Sequence, residues 1–171
     1  MTLEVGQKAP SFALTDQNGQ TIRLDDYSGQ WAVIWWIPST MAEMTPACCD
    51  QIARGFGEHA AESPDLNVIG LSFDNPDMMR TFAQRGTVLF PLLSDETRET
   101  GKAYGVYRGD ADEWNCFPRK RAFLVDPAGN VARVYLNIDP DLFVHEVISD
   151  LRELVGLPPA KGLLQRLFSK A

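Results

Sequence analysis

The run WAVIWWI, residues 31–37, constrains this chain more than any other segment. Seven consecutive aromatic, branched or small apolar residues lack the in-and-out alternation of a strand with one wet face. The run therefore reads as a strand covered on both faces, the pattern of a mainly parallel sheet. Parallel neighbours need crossover connections, usually helices, so an α/β layer fold is the expectation. Pro38 ends the run.

The flanking segments agree with that expectation. SFALTDQNGQTIRL (11–24) holds two short β-type runs around a turn in which Asn18 and Gly19 supply left-handed geometry, predicting a β-hairpin. Residues 25–30 read as a turn. From Pro46 the apolar spacing changes: Ile52, Phe56 and Ala60 recur every four residues, which predicts a helix with Thr45 as N-cap and Pro46 at its first position. LNVIGLSF (66–73), LFPLL (89–93), RAFLVD (121–126) and VARVYLNI (131–138) then read as strands. PDMMRTFAQRG (76–86), DETRETGKAYG (95–105) and residues 141–154 read as helices, the last with Leu142, Val147, Ile148, Leu151 and Leu154 on its apolar side. Asp95, Glu96 and Glu99 read as negative charge at a helix N-terminus.

With 171 residues, 44% of them hydrophobic, the chain can fill one core. One domain over 1–157 is expected, with a tail over 158–171. In the tail Leu163, Leu164, Leu167 and Phe168 share one side, and it reads as a turn folded on the domain's own surface rather than a contact for a partner or a membrane. No run approaches the ~20 apolar residues that cross a bilayer, and the N-terminus lacks a basic segment followed by an apolar stretch, so a cytoplasmic location and no membrane association are expected. A net charge of −7 without a basic stripe argues against nucleic acid as a partner. Three cysteines are too few for a disulfide framework and leave two uses for a thiol, core filling or chemistry.

TPACCDQ (45–51) puts two of them in the first turn of the predicted helix. Unpaired N–H groups there favour a thiolate, and Cys48 sits where that effect is largest. Neighbours on a helix point about 100° apart, so Cys49 makes a poor disulfide partner for Cys48 and reads as core. The third, Cys116, lies in WNCFPRKRAFLVD (114–126) beside Arg119, Lys120 and Arg121, a local positive field that can stabilise a thiolate. GFGEHA (55–60) fits a dinucleotide-binding glycine pattern only formally, because it follows a helical turn rather than a strand. His59 and His145 have no ligand-type residue at metal-binding spacing, and no metal is expected.

Several stretches together resemble the peroxiredoxins, especially the monomeric bacterioferritin-comigratory class. These are VGQKAPSFALTDQNGQTIRLDDYSGQWAVIWWIP (5–38), TPAC (45–48), FPLLSDETRETGKAYGVY (90–107) and RAFLVDPAGNV (121–131), covering roughly residues 5–135. The resemblance implies a thioredoxin-like fold with a central mixed sheet, an N-terminal β-hairpin and flanking helices. It also implies reduction of hydrogen peroxide or an organic hydroperoxide through a cysteine sulfenic acid. A resolving thiol, for which Cys116 is the candidate, and a thioredoxin-like or other thiol reductant complete the cycle without a cofactor, in a monomer or homodimer.

The family pattern Pro-x-x-x-Thr-x-x-Cys does not fit without a gap, since seven residues beyond Pro38 stands Thr45. One alignment keeps TPAC in register, making Cys48 the nucleophile and Thr45 its hydroxyl partner at the expense of a three-residue insertion in 39–44. The other keeps Pro38 and the spacing of Ile52 and Phe56, and puts Thr45 at the nucleophile's position. The first is preferred, because loops absorb insertions easily. The family's active-site arginine, which polarises the peroxide, falls on Lys120, with Arg119 and Arg121 on either side: either a one-residue shift brings Arg119 or Arg121 into that role, or the site is altered. Two alternatives remain: a binding or structural module that has lost the chemistry, and a thiol-disulfide oxidoreductase, against which the missing C-x-x-C pair argues.

Overall fold

The computed structural model describes residues 3–40, 47–58, 65–85 and 88–158, with the backbone alone at Ala47, Cys48 and Arg85. Among these residues the strands are β1 (Ala13–Asp16), β2 (Thr21–Arg23), β3 (Trp31–Trp36), β4 (Leu66–Ser72), β5 (Leu92–Ser94), β6 (Ala122–Val125) and β7 (Val131–Tyr135). The helices are α1 (Ala47–Glu58), α2 (Pro76–Arg85), α3 (Glu99–Ala103) and α4 (Phe143–Leu154). The strands form one sheet in the order β2-β1-β5-β4-β3-β6-β7. β3 runs parallel to β4 and antiparallel to β6, so the sheet is mixed, as expected for a thioredoxin-like fold.

β3 lies at the centre because both its faces are apolar. Val33, Trp35 and Ile37 meet α1 and α4 through Ile52, Phe56, Phe143 and Val147, while Ile34 and Trp36 pack on the other face with Leu71, Tyr104 and Phe123. The first of the two glycines read in GFGEHA has a packing explanation. A Cβ on Gly55 would stand 3.1 Å from Val144 Cγ2, so the missing side chain lets α1 and α4 approach, and a dinucleotide role is set aside. Tyr135 donates its hydroxyl to Asp150 Oδ2 at 2.8 Å, tying α4 back to β7.

The hairpin forms as read, with one difference. Gly19 alone has positive φ (+81°), and Asp16 does the remaining work: its Oδ1 accepts from the backbone N–H of Asn18 and of Gln20, both at 2.8 Å. Residues 24–27 form a 3-10 turn that buries Leu24. The third helix is shorter than its sequence suggests. Arg98 takes φ +62°, which prevents a helix from running through it, and Asp95 turns inward, 1% exposed, where its carboxylate accepts from the N–H of Gly101 at 2.7 Å. Burial holds that carboxyl above its ordinary value, against the backbone hydrogen bonds that lower it. Asp95 is thus a buried anchor and not a solvated helix-end charge. Strand β5 begins three residues later than LFPLL because Leu89 is exposed, and β7 ends at Tyr135 because Leu136 is exposed as well.

Thr45, Pro46, His59, Ala60 and Gly86 lie outside the described residues, as does the tail beyond Pro158. His145 is half-buried on α4. Among the described residues no helix is long and apolar enough to cross a membrane.

Candidate active site

The C-terminal ends of β3, β4 and β5 meet at one edge of the sheet, the edge at which open α/β folds bind their ligands. Ser39 and Thr40 leave β3 there and are buried. Asp74, two residues past β4, anchors them. Its Oδ2 accepts from the Thr40 N–H, from the Thr40 hydroxyl at 2.8 Å and from the Ser72 hydroxyl at 3.0 Å. Its backbone carbonyl accepts from the Ser94 hydroxyl at 2.6 Å, which carries the network to β5. One residue therefore ties Thr40 to two neighbouring strands, to β4 through its carboxylate and to β5 through its backbone carbonyl. Asp74→Ala removes the acceptor of three donors at once. We expect it to lower unfolding free energy by about 2–3 kcal/mol in urea titrations and to slow peroxide turnover; an unchanged midpoint would mean the clamp contributes nothing.

Helix α1 starts at Ala47, so Cys48 is in its first turn. Cys49 is 2% exposed and packs with Ile52, Ala53 and Phe56 in the core under the sheet, the place expected of it. Cys116 is exposed in the loop before β6. No disulfide joins Cys49 or Cys116 to another cysteine.

The three consecutive cations separate in space. Trp35 pairs with Ala122, and the Trp36 N–H donates to the carbonyl of Arg121 at 2.9 Å, so strand alternation continues back into this segment. Ala122 faces the α1 side with Trp35, and Phe123 faces the opposite side with Trp36. Lys120 accordingly opens onto a cleft of about 270 Å³ that also touches Pro38, Ser39, Arg108, Trp114 and Phe117. Arg119 and Arg121 line a different depression with Lys102, Tyr107 and Arg108. Arg121 is held there by donating Nη1 to the carbonyl of Gly105 at 3.0 Å.

Sequence reasoning missed two contributors. Arg108 shares the cleft with Lys120, its Nε donating to the Phe117 carbonyl at 3.1 Å and its Nη1 lying 4.0 Å from Asp112. Trp114 and Phe117 stack at 6.2 Å between ring centroids, forming an apolar wall, with Trp114 54% exposed. Neither could be read locally, because the cleft closes only when the 109–121 loop folds back on Pro38. What the chain offers is a helix N-terminus carrying a thiol residue, and a cleft that begins at the end of β3 and combines cations with an apolar wall suited to the organic part of a substrate.

Comparison with known proteins agrees with that chemistry. The AhpC/TSA family profile matches residues 5–134. A putative peroxiredoxin of Mycobacterium tuberculosis is 32% identical over 154 residues, covering 87% of this chain and 95% of the relative. Peroxiredoxin Bcp of Escherichia coli is 31% identical over 137 residues, covering 78% and 85%. Among solved structures, peroxidoxin BcpB from M. tuberculosis superposes with a TM-score of 0.78 at 25% identity, over 89% of this chain and 98% of that one. PrxQ of Xylella fastidiosa, a cysteine-to-serine variant, shares the fold with a TM-score of 0.80 at 19% identity over 91% and 99%. With three quarters of its length matched by the family profile and a curated peroxiredoxin matched nearly end to end, this chain belongs to the AhpC/TSA family of peroxiredoxins.

Proposed function

We propose that this thiol peroxidase uses Cys48 as its nucleophile, Lys120 as the cation that polarises the peroxide, and Cys116 as the thiol that resolves the intermediate. The Cys48 thiolate attacks the terminal oxygen of the peroxide and the O–O bond breaks. The leaving alkoxide or hydroxide takes a proton to become alcohol or water, and the sulfur is left as a sulfenic acid. Cys116 then attacks that sulfur, releasing water and forming a disulfide, and a dithiol reductant of thioredoxin type returns both thiols. Thr45, three residues before Cys48, is the hydroxyl we assign to orient the peroxide.

The observation that supports this reading is the cleft that joins Lys120 to Pro38 and Ser39, the residues that precede in sequence the helix whose first turn carries Cys48. Lysine supplies charge without the planar fork of arginine, so Lys120 stabilises developing negative charge but does not align both peroxide oxygens. Thiols kept out of a disulfide framework fit a reducing cytoplasm, and every residue in the scheme comes from one chain, so a monomer suffices for the reaction and a homodimer would carry two such sites. A single catalytic domain over 1–157 accommodates it.

Selective oxidation tests the assignment. One equivalent of peroxide followed by a sulfenic-acid trap and peptide mass spectrometry should label Cys48 and leave Cys49 unmodified. Without the trap, a Cys48–Cys116 disulfide should appear. Labelling of all three cysteines at similar slow rates would instead support a peroxiredoxin fold that has lost its chemistry.

A further inference from the structure

Arg119 and Arg121 have no task in the peroxide scheme, yet they stand together. The depression they line holds about 390 Å³, the scale of a small-molecule site, and its other walls include Lys102, Arg108 and Tyr107. Four cations thus face one open volume, and no carboxylate lines it. The surrounding carboxylates serve the other walls: Glu99 pairs with Lys102 at 2.9 Å, Asp112 stands 4.0 Å from Arg108, and Asp110 accepts from the Tyr107 hydroxyl, which leaves the two arginines at 119 and 121 as the uncompensated charge. Arg119 and Arg121 have no carboxylate partner among the described residues. That is unusual in a chain with 23 acidic and 16 basic residues, where a counter-charge is easy to supply.

Gathering like charges is unfavourable unless something offsets the repulsion. Burial, and next the Arg119 charge, hold the Arg121 guanidinium below its ordinary value, so the two guanidinium groups repel one another across the depression. An anion between them removes the repulsion. Planar guanidinium forks match phosphate oxygens bidentately, and the two forks without a carboxylate partner carry two charges, more than one singly charged group can satisfy.

We infer that the depression formed by Lys102, Arg108, Arg119 and Arg121 binds a small molecule through a diphosphate or triphosphate group. Its source is either an inorganic polyphosphate or the phosphate chain of a nucleotide. The site is distinct from the proposed peroxide cleft, because Lys120 lines that cleft and not this depression, but Arg108 lines both volumes. A bound polyanion therefore contacts a residue of the catalytic cleft, and its occupancy is expected to change the peroxidase rate.

Calorimetric titration of the full chain in 0.15 M salt tests this with four probes: orthophosphate, pyrophosphate, tripolyphosphate and ADP. Tripolyphosphate and pyrophosphate should bind one to one and orthophosphate at least about tenfold more weakly. ADP binding tighter than pyrophosphate identifies a nucleotide as the source, and equal or weaker binding identifies inorganic polyphosphate. Arg119→Ala should weaken binding about tenfold or more, as expected for loss of a charge-assisted pair. Lys8→Ala, a cation at the far end of the sheet, should leave binding unchanged. Arg121→Gln provides a second variant if Arg119→Ala fails to fold. The same affinities should appear in Cys48→Ser protein, since binding needs no thiol. Absent binding, or equal weakening by Lys8→Ala and Arg119→Ala, overturns the site and leaves the peroxidase assignment untouched.

Discussion

Cys48→Ser protein is expected to consume peroxide slower by about four orders of magnitude or more in a coupled thioredoxin assay, while melting within a degree or two of the parent. A serine hydroxyl can neither ionise near neutral pH nor form a sulfenic acid, so the nucleophile's loss removes the covalent route entirely. Cys49→Ser separates chemistry from packing. Cys49 lies in the core with Ile52, Ala53 and Phe56, so its replacement should lower stability and leave the first chemical step intact. Lys120→Ala should slow the same step by roughly ten- to a thousandfold, the range seen when one stabilising group is taken from a developing negative charge. Parent-level turnover by Cys48→Ser would assign the nucleophile elsewhere. Gain of turnover by Thr45→Cys in that background would show that the loop follows the ungapped register.

The largest stability effect is expected at Phe143. Its ring is fully buried and meets Phe56 edge-on at 5.8 Å and Tyr135 at 5.5 Å, while Phe56 in turn meets Phe90 at 6.4 Å. This aromatic chain joins α4, α1 and the sheet. Phe143→Ala opens a cavity between elements that cannot all close on it, and should lower stability by about 3–5 kcal/mol. For a chain of this length that corresponds to a fall in melting temperature of roughly 6–20 °C. Amide exchange should accelerate first in α1, because Phe56 loses its partner there. A loss below about 1 kcal/mol would mean α1 is held chiefly by its other contacts.

Elements with a strong local signature were legible in the sequence. β3, β4 and β6 follow from unbroken apolar runs, the hairpin from Asp16 to Gln20, and α1, α2 and α4 from apolar residues at helical spacing. The errors lie where one side chain reverses the local preference. DETRETGKAYG has the composition of a helix, but its first residues fold around the buried Asp95 and Arg98 adopts left-handed backbone, leaving five residues of helix. The proposed site was legible as residues and not as an arrangement. Cys48 and Lys120 stand out in the sequence, whereas Asp74 and Arg108 act through Thr40 and Phe117, partners 34 and 9 residues away. The one available hint was Ser72-Phe73-Asp74, two polar residues flanking the last apolar position of a buried strand.

The opposed directions of Arg119, Lys120 and Arg121 bear on how such a protein can change over generations. A point substitution at 119 or 121 changes the lining of the cationic depression and one at 120 that of the cleft at Pro38, with Arg108 the residue the two volumes share. Gain or loss of a single residue between Phe117 and Ala122 shifts every side chain to the other face and alters both together. Length in this short segment is therefore under a tighter constraint than identity, the reverse of what holds for an ordinary surface loop.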